Sequence, residues 1–220
     1  MTVQPSTAER ILAAAADLTT DGWSRVTMPA LAARAGVSRQ TIYNEFGSRA
    51  GLAEAMILRE LGGFLSAVDA AFQAHRPDVV ASIEAAALAV MDLAAGHGLL
   101  RAIVSAEHGS DTELLPLLTS RGAGVQATST EVLAARMAEC YPIGDERSDP
   151  LVCRPVAAVI VRLVLSNVTQ PAGPATEVAA TIAWVARCLL DQPQVRLPPQ
   201  SNSPAPKPIR VQAIPISGSA

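Results

Sequence analysis

Apolar residues recur at spacings of three and four along most of the chain, β-branched runs are few, and no stretch alternates as a half-buried strand does, so the pattern predicts an all-α protein. The first helix begins at Ser6. Its hydroxyl is placed to accept from the Glu9 amide while the Glu9 carboxylate reaches back, a capping box, and the apolar positions Ile11, Leu12, Ala15 and Leu18 follow until Gly22 closes the element. A short second helix starts after Thr27, with Pro29 in the first turn where a missing N–H does no harm, carries Leu31 and Ala32 inward, and stops at Gly36. Ser38 caps a third helix that runs to about Phe46. After the break at Gly47, Ser48 caps a fourth, which passes through Leu52, Met56, Leu61, Leu65 and Val68 to about Ala74. A glycine-containing turn of three or four residues between the second and third helices is the layout of a helix-turn-helix.

His75, Arg76 and Pro77 mark a joint. Beyond it the periodicity predicts apolar helices at about 79–96, 98–107, 113–120, 122–140, 151–169 and 175–191, divided at Gly96, Gly109, Gly122, Pro142 to Pro150 and Pro171 to Pro174. The expected organisation is an arm at 1–5, a helix-turn-helix domain at 6–52 with its fourth helix continuing to about 74 as a connector, and a helical domain at 78–192. A tail at 193–220, in which seven of 28 residues are proline, is expected to be disordered.

Half of the 220 residues are hydrophobic, which suits a folded globular protein with one or two cores. The formal charge of −3 excludes a protein that coats nucleic acid through bulk charge, although a local basic face remains open. Three separated cysteines, Cys140, Cys153 and Cys188, read as reduced thiols acting as small buried hydrophobes. No secretory signal is visible, and the most apolar segment, Pro155 to Val168, is interrupted by Arg162 and too short for a bilayer. A cytoplasmic protein with no membrane partner is expected. His97, Glu107 and His108 lack any dependable ligand spacing, and neither a phosphate loop nor a nucleophile with its base is recognisable, so no metal, cofactor or enzymatic activity is expected.

The stretch GVSRQTIYNEFGSRAGL, Gly36 to Leu52, carries two arginines, a tyrosine, a glutamine and an asparagine in a chain whose single lysine is Lys207. On a wheel of about 100° per residue, Ile42 and Phe46 point inward, Gln40 and Asn44 point directly opposite with Thr41 and Tyr43 flanking them, and Glu45 falls near the inward edge. Gln and Asn can pair bidentately with an adenine edge, Thr offers a hydroxyl or methyl contact, and Tyr reaches phosphate or a thymine methyl. Arg39 and Arg49, each at a helix start, read as phosphate anchors. Four arginines against one glutamate between Trp23 and Arg49 make this stretch locally positive.

In order and spacing over about fifty residues, the Thr27 cap, the AxxAGVS turn from Ala32 to Ser38, Thr41–Ile42–Tyr43, and Phe46-x-Ser48-Arg49 resemble the DNA-binding domain of TetR-family transcriptional regulators, including the YNEFGSR subgroup frequent in actinobacteria. The resemblance implies a homodimer whose recognition helices enter successive major grooves of a palindromic operator. It further implies repression relieved by a small molecule held in the carboxy-terminal domain. Residues expected at double-stranded DNA are Thr27, Ser38, Arg39, Gln40, Thr41, Tyr43, Asn44, Ser48 and Arg49. Asn44, Glu45 and Ala30 depart from the residues common in the family, which bears on the operator sequence and not on the fold.

The dimer interface is expected on the last two helices, at Val156, Val159, Ile160, Leu163, Ile182, Val185 and Leu189. A pocket lined by Phe64, Phe72, Met91, Ile103, Leu118 and Tyr141 suits an aliphatic or acyl molecule better than a flat aromatic cation. Two other classes compete: a helical carrier that sequesters an apolar molecule without reading DNA, and an enzyme using Glu107 and His108.

Overall fold

The computed structural model describes residues 5–20, 22–96 and 115–191, with side chains omitted for 115–122. Every regular element among them is helical. Most of the arm, the 98–107 helix, His97, Glu107, His108, Ile103, the Leu118 side chain and the proline-rich tail lie outside the described residues.

The chain divides into two compact units, the first reaching Gly62 and the second taking Gly63–Ala95 and resuming at Arg121. In the first, α1 (Thr7–Thr19) opens with the capping box in place: the Ser6 amide donates to the Glu9 carboxylate at 2.6 Å and the Glu9 amide to the Ser6 hydroxyl at 3.2 Å. A single 3-10 turn (Trp23–Arg25) buries Trp23. Helix α2 (Met28–Ala35) ends on Gly36 at φ 66°, a left-handed conformation that glycine adopts without steric cost, and α3 (Arg39–Phe46) starts two residues later on Ser38. Ile11, Ala15, Leu31, Ile42 and Leu52 are fully excluded from solvent, so α1, α2, α3 and the first turns of α4 (Arg49–His75) share one core. Excluding an aliphatic side chain of this size contributes about 1.5–3 kcal/mol, which makes Ile42 the residue that fixes the rotation of α3.

In the second unit, the end of α4, α5 (Val79–Gly96), α6 (Leu115–Ala138), α7 (Pro150–Thr169) and α8 (Ala175–Leu190) surround Phe72, Ile83, Met137, Cys153, Ile160 and Ile182. Helices α5 and α7 are long and apolar enough to cross a bilayer by length and composition, but each turns its buried face into this core. Gly122 does not divide two helices as its flexibility suggested; α6 runs through it. One glycine in a helix interior costs only about 1 kcal/mol, less than the long apolar flank on its carboxy side returns by packing. The Pro142 to Pro150 break holds a 3-10 turn (Glu146–Ser148) started by the Asp145 carboxylate, which the sequence reading did not anticipate. Cys140 and Cys153 are buried and free, whereas Cys188 is free but exposed, against the expectation that all three are interior. Burial pushes the Cys153 thiol up to about 11 and raises Cys140 likewise, so both stay protonated at neutral pH.

Candidate nucleic-acid interface

Helix α3 is held at both ends by its own sequence. At its start the Ser38 hydroxyl oxygen accepts from the Thr41 amide at 3.0 Å and lies 2.8 Å from the Thr41 hydroxyl. At its end Gly47, at φ 71°, donates its amide to the Tyr43 carbonyl at 2.8 Å, and Ser48 caps α4 by accepting from Gly51 at 3.0 Å. Thr27 does the same for α2, accepting from Ala30 at 3.3 Å. These three hydroxyl oxygens act as acceptors within the fold, and those of Thr27 and Ser48 keep a hydrogen to give outward.

With Ile42 fully buried, Arg39, Gln40, Tyr43 and Asn44 are exposed, Tyr43 retaining 46% of its surface. Thr41 is half-buried against its Ser38 partner. Gln40 and Asn44 are not separate: the Gln40 Nε2 donates to the Asn44 Oδ1 at 2.9 Å. Glu45 is exposed although the wheel places it near the inward edge. The long carboxylate reaches solvent from a position the wheel places at the margin.

Two of the four arginines serve the fold. Arg49 is half-buried, donates from Nη2 to the Trp23 carbonyl at 2.8 Å, and stacks its guanidinium 4.9 Å from the Trp23 ring centroid. It ties the start of α4 to the 3-10 turn, a structural role beside the phosphate anchoring expected of it. Arg34 pairs with Asp17 of α1 at 2.8 Å, which removes one positive charge from the local excess because Asp17 lay outside the stretch that was counted. Arg25 and Arg39 remain exposed on this unit. Sequence reasoning also missed Arg10, whose Nη2 donates to the Ala35 carbonyl at 2.8 Å and so binds the negative end of α2. No local signal reveals that contact, since the partners lie 25 residues apart.

The residues expected at a dimer interface separate into two groups. Val156, Ile160 and Ile182 are corrected: they are buried in the core of their own unit and fill the protomer. Val159, Leu163, Val185 and Leu189 are half-buried. The exposed face of α8 instead carries Trp184, which keeps 65% of its surface, between Thr181 and Cys188. The helical period could have found it, because Trp184 lies about 200° around the helix from Ile182.

Of the expected pocket residues, Phe72 and Met91 are packed into the core and Phe64 is half-buried. Tyr141 lines a cleft of about 540 Å³ with Pro77, Val79, Val80, Cys140, Pro142, Arg147 and Leu190. The Arg147 guanidinium lies 4.7 Å from the Tyr141 ring centroid and is clasped by Asp145 at 2.7 Å, while burial raises the Tyr141 hydroxyl pKa against the opposing pull of Arg147.

Residues 11–56 match the model for bacterial regulatory proteins of the tetR family, and residues 78–187 match a tetracyclin repressor carboxy-terminal domain model. The HTH-type transcriptional regulator AlkX of Mycobacterium tuberculosis (strain ATCC 25618 / H37Rv) is 31% identical over 166 residues, 76% of each chain. The crystal structure of the TetR family repressor AlkX from Dietzia sp. strain DQ12-45-1b, implicated in biodegradation of n-alkanes, superposes with a TM-score of 0.68 at 26% identity, covering 83% of this chain and 97% of that one. The fatty acid degradation regulator FadR of Bacillus halodurans shares the fold alone, with a TM-score of 0.51 at 18% identity over 86% of this chain and 97% of that one.

Proposed function

This chain belongs to the TetR family of bacterial transcriptional regulators, and from that premise we propose that it is a cytoplasmic homodimeric repressor that holds a palindromic operator until a small aliphatic or acyl molecule occupies its second unit. It is a DNA-binding regulator and not an enzyme. The observation that carries the DNA-reading surface is the register of α3: a fully buried Ile42 leaves Gln40, Tyr43 and Asn44 exposed together on the opposite side. An α-helix fits the major groove, and these side chains supply donors and acceptors for base edges with a phenol for the backbone.

The dimer reading is supported by the exposed Trp184, since a side chain of this size left in water is what a second copy would cover. Val159, Leu163, Val185 and Leu189 would border it. The ligand class is supported by the aliphatic composition of the second unit and by the connection of the Dietzia relative to n-alkanes. The test is selection of bound fragments from a random pool by the full chain, followed by gel shift with and without medium-chain alkanes and acyl compounds. The reading expects an inverted repeat with half-sites about one helical turn, or a multiple, apart. It expects release by one of these compounds. Enrichment of no sequence sinks the DNA part, while thermal stabilisation by planar cations alone sinks the ligand part.

A further inference from the structure

The amide groups of Gln40 and Asn44 stand one helical turn apart on the exposed side of α3 and are joined by a hydrogen bond of 2.9 Å from Gln40 Nε2 to Asn44 Oδ1. A primary amide has one oxygen acceptor and two N–H donors. Gln40 spends one N–H on its neighbour and keeps its Oε1 with the second N–H, the acceptor and donor that match N6 and N7 of adenine in the major groove. Asn44 engages one lone pair of its carbonyl with Gln40 and keeps both N–H donors uncommitted in that bond. Those donors match a base acceptor such as guanine O6 or N7, or thymine O4.

We propose that Gln40 and Asn44 act as one specificity-determining unit, in which Asn44 orients the Gln40 amide for adenine and itself donates to an acceptor on the adjoining base pair; this rests on the reading of α3 as the recognition helix. The bond fixes the Gln40 amide plane before DNA arrives, so adenine preference at the Gln40 position depends on a residue that does not touch that base. Two independent readers behave differently, each governing only its own base. A pair that merely supports the helix surface governs no base at all.

The experiment measures, with the full chain, the affinity ratio between adenine and the other three bases at the Gln40 position of a selected operator. It compares the unsubstituted protein with Gln40→Ala, Asn44→Leu, Asn44→Asp and the double variant Gln40→Ala/Asn44→Leu. Leucine keeps the branching of Asn44 at Cγ without its acceptor, and aspartate keeps the acceptor without the donors. Asn44→Leu is expected to lower the adenine ratio about tenfold, as Gln40→Ala does, with the double variant no lower than either. Asn44→Asp is expected to retain the ratio while losing preference at the adjoining base pair, with weaker binding overall from its charge. Far-UV circular dichroism should be unchanged throughout, because both side chains are exposed. An adenine ratio untouched by Asn44→Leu, or single effects that multiply in the double variant, overturns the coupled unit and leaves the regulator intact. If the unsubstituted chain selects no sequence, or Gln40→Ala changes preference at no position, the recognition-helix reading fails and the coupled unit fails with it.

Discussion

The two units leave different chemistry facing water. Among the described residues, five large hydrophobic side chains are exposed, and only Tyr43 belongs to the first unit; Leu93, Ile143, Leu151 and Trp184 belong to the second. In the first unit helices α1 to α3 are short, each carries just enough apolar residues for one core, and what remains outside is largely polar: amide, hydroxyl and guanidinium groups with the carboxylates of Glu9, Asp17 and Glu45. In the second, long helices carry apolar residues beyond what the core absorbs. A polar face exchanges its water for phosphates and base edges with little hydrophobic gain, whereas an apolar face gains only by excluding water against another apolar surface. The first therefore suits a nucleic acid, the second another copy of the chain or an apolar ligand.

The comparison breaks most directly at Trp184. Trp184→Glu is expected to shift the protein from dimer to monomer and to weaken operator binding by two orders of magnitude or more, roughly the contribution lost when two recognition helices no longer act together. Sedimentation together with gel shift reads both effects. A dimer that survives this substitution with full DNA affinity moves the interface elsewhere and dissolves the assignment of the apolar face.

Gly51 sharpens the other side. A Cβ placed there would stand 2.1 Å from the Phe46 carbonyl oxygen, so the end of α3 and the start of α4 approach through glycine. Gly51→Ala is expected to destabilise the first unit by about 1–3 kcal/mol, as overpacking against backbone does. A lower thermal midpoint with residual operator binding at low temperature is the expected result, and an unchanged midpoint contradicts the close approach. Arg49→Ala should act on the same quantity, by about 1–2 kcal/mol, through loss of the guanidinium bond to the Trp23 carbonyl and of its packing on the ring. If Arg49→Ala leaves the midpoint alone and lowers only the salt slope of DNA binding, Arg49 is a phosphate anchor alone.

How far each unit was legible in the sequence follows from the same contrast. Ser6, Thr27, Ser38, Gly36 and Gly47 announce the ends of the first helices through local chemistry, and with so few apolar positions on α3 the burial of Ile42 leaves one rotation for the helix. The tie of Arg49 to Trp23 was hidden because 26 residues separate them, and that of Arg34 to Asp17 because Asp17 sits on another helix. In the second unit Val156 and Val159 share a wide apolar face on α7, yet the first is in the core and the second half-exposed. Periodicity alone does not divide a face between a core and an interface. Gly122 and the 3-10 turn at Glu146–Ser148 were hidden for a related reason, since tertiary packing and one carboxylate cap decided them.

The smallest effect concerns acid. At the junction of α4 and α6, Arg136 binds Asp69 at 2.6 Å and Glu139 at 2.9 Å, and Arg76 adds a second contact to Glu139. Desolvation pushes the Glu139 carboxyl up, but the hydrogen bonds and charges of Arg136 and Arg76 prevail and hold it below its ordinary value. A depressed carboxyl stabilises the fold above its unfolded pKa, near 4.3, and that stabilisation is lost as pH falls through the folded value. Glu139→Gln should therefore lower the thermal midpoint slightly at neutral pH and flatten its decline below about pH 4. Partial exposure keeps the effect at about 1 kcal/mol or less.

The claim on which the rest depends is that the α3 ridge, and not the protein at large, meets DNA. Its most direct measurement is the affinity of Tyr43→Ala, beside the unsubstituted chain, for a fragment the protein itself selects, titrated across salt concentration with circular dichroism as a control on folding. The account predicts a loss of about tenfold or more with helicity unchanged, and binding by the unsubstituted chain that weakens steeply as salt rises. Equal affinity of the two proteins at every salt concentration would contradict it.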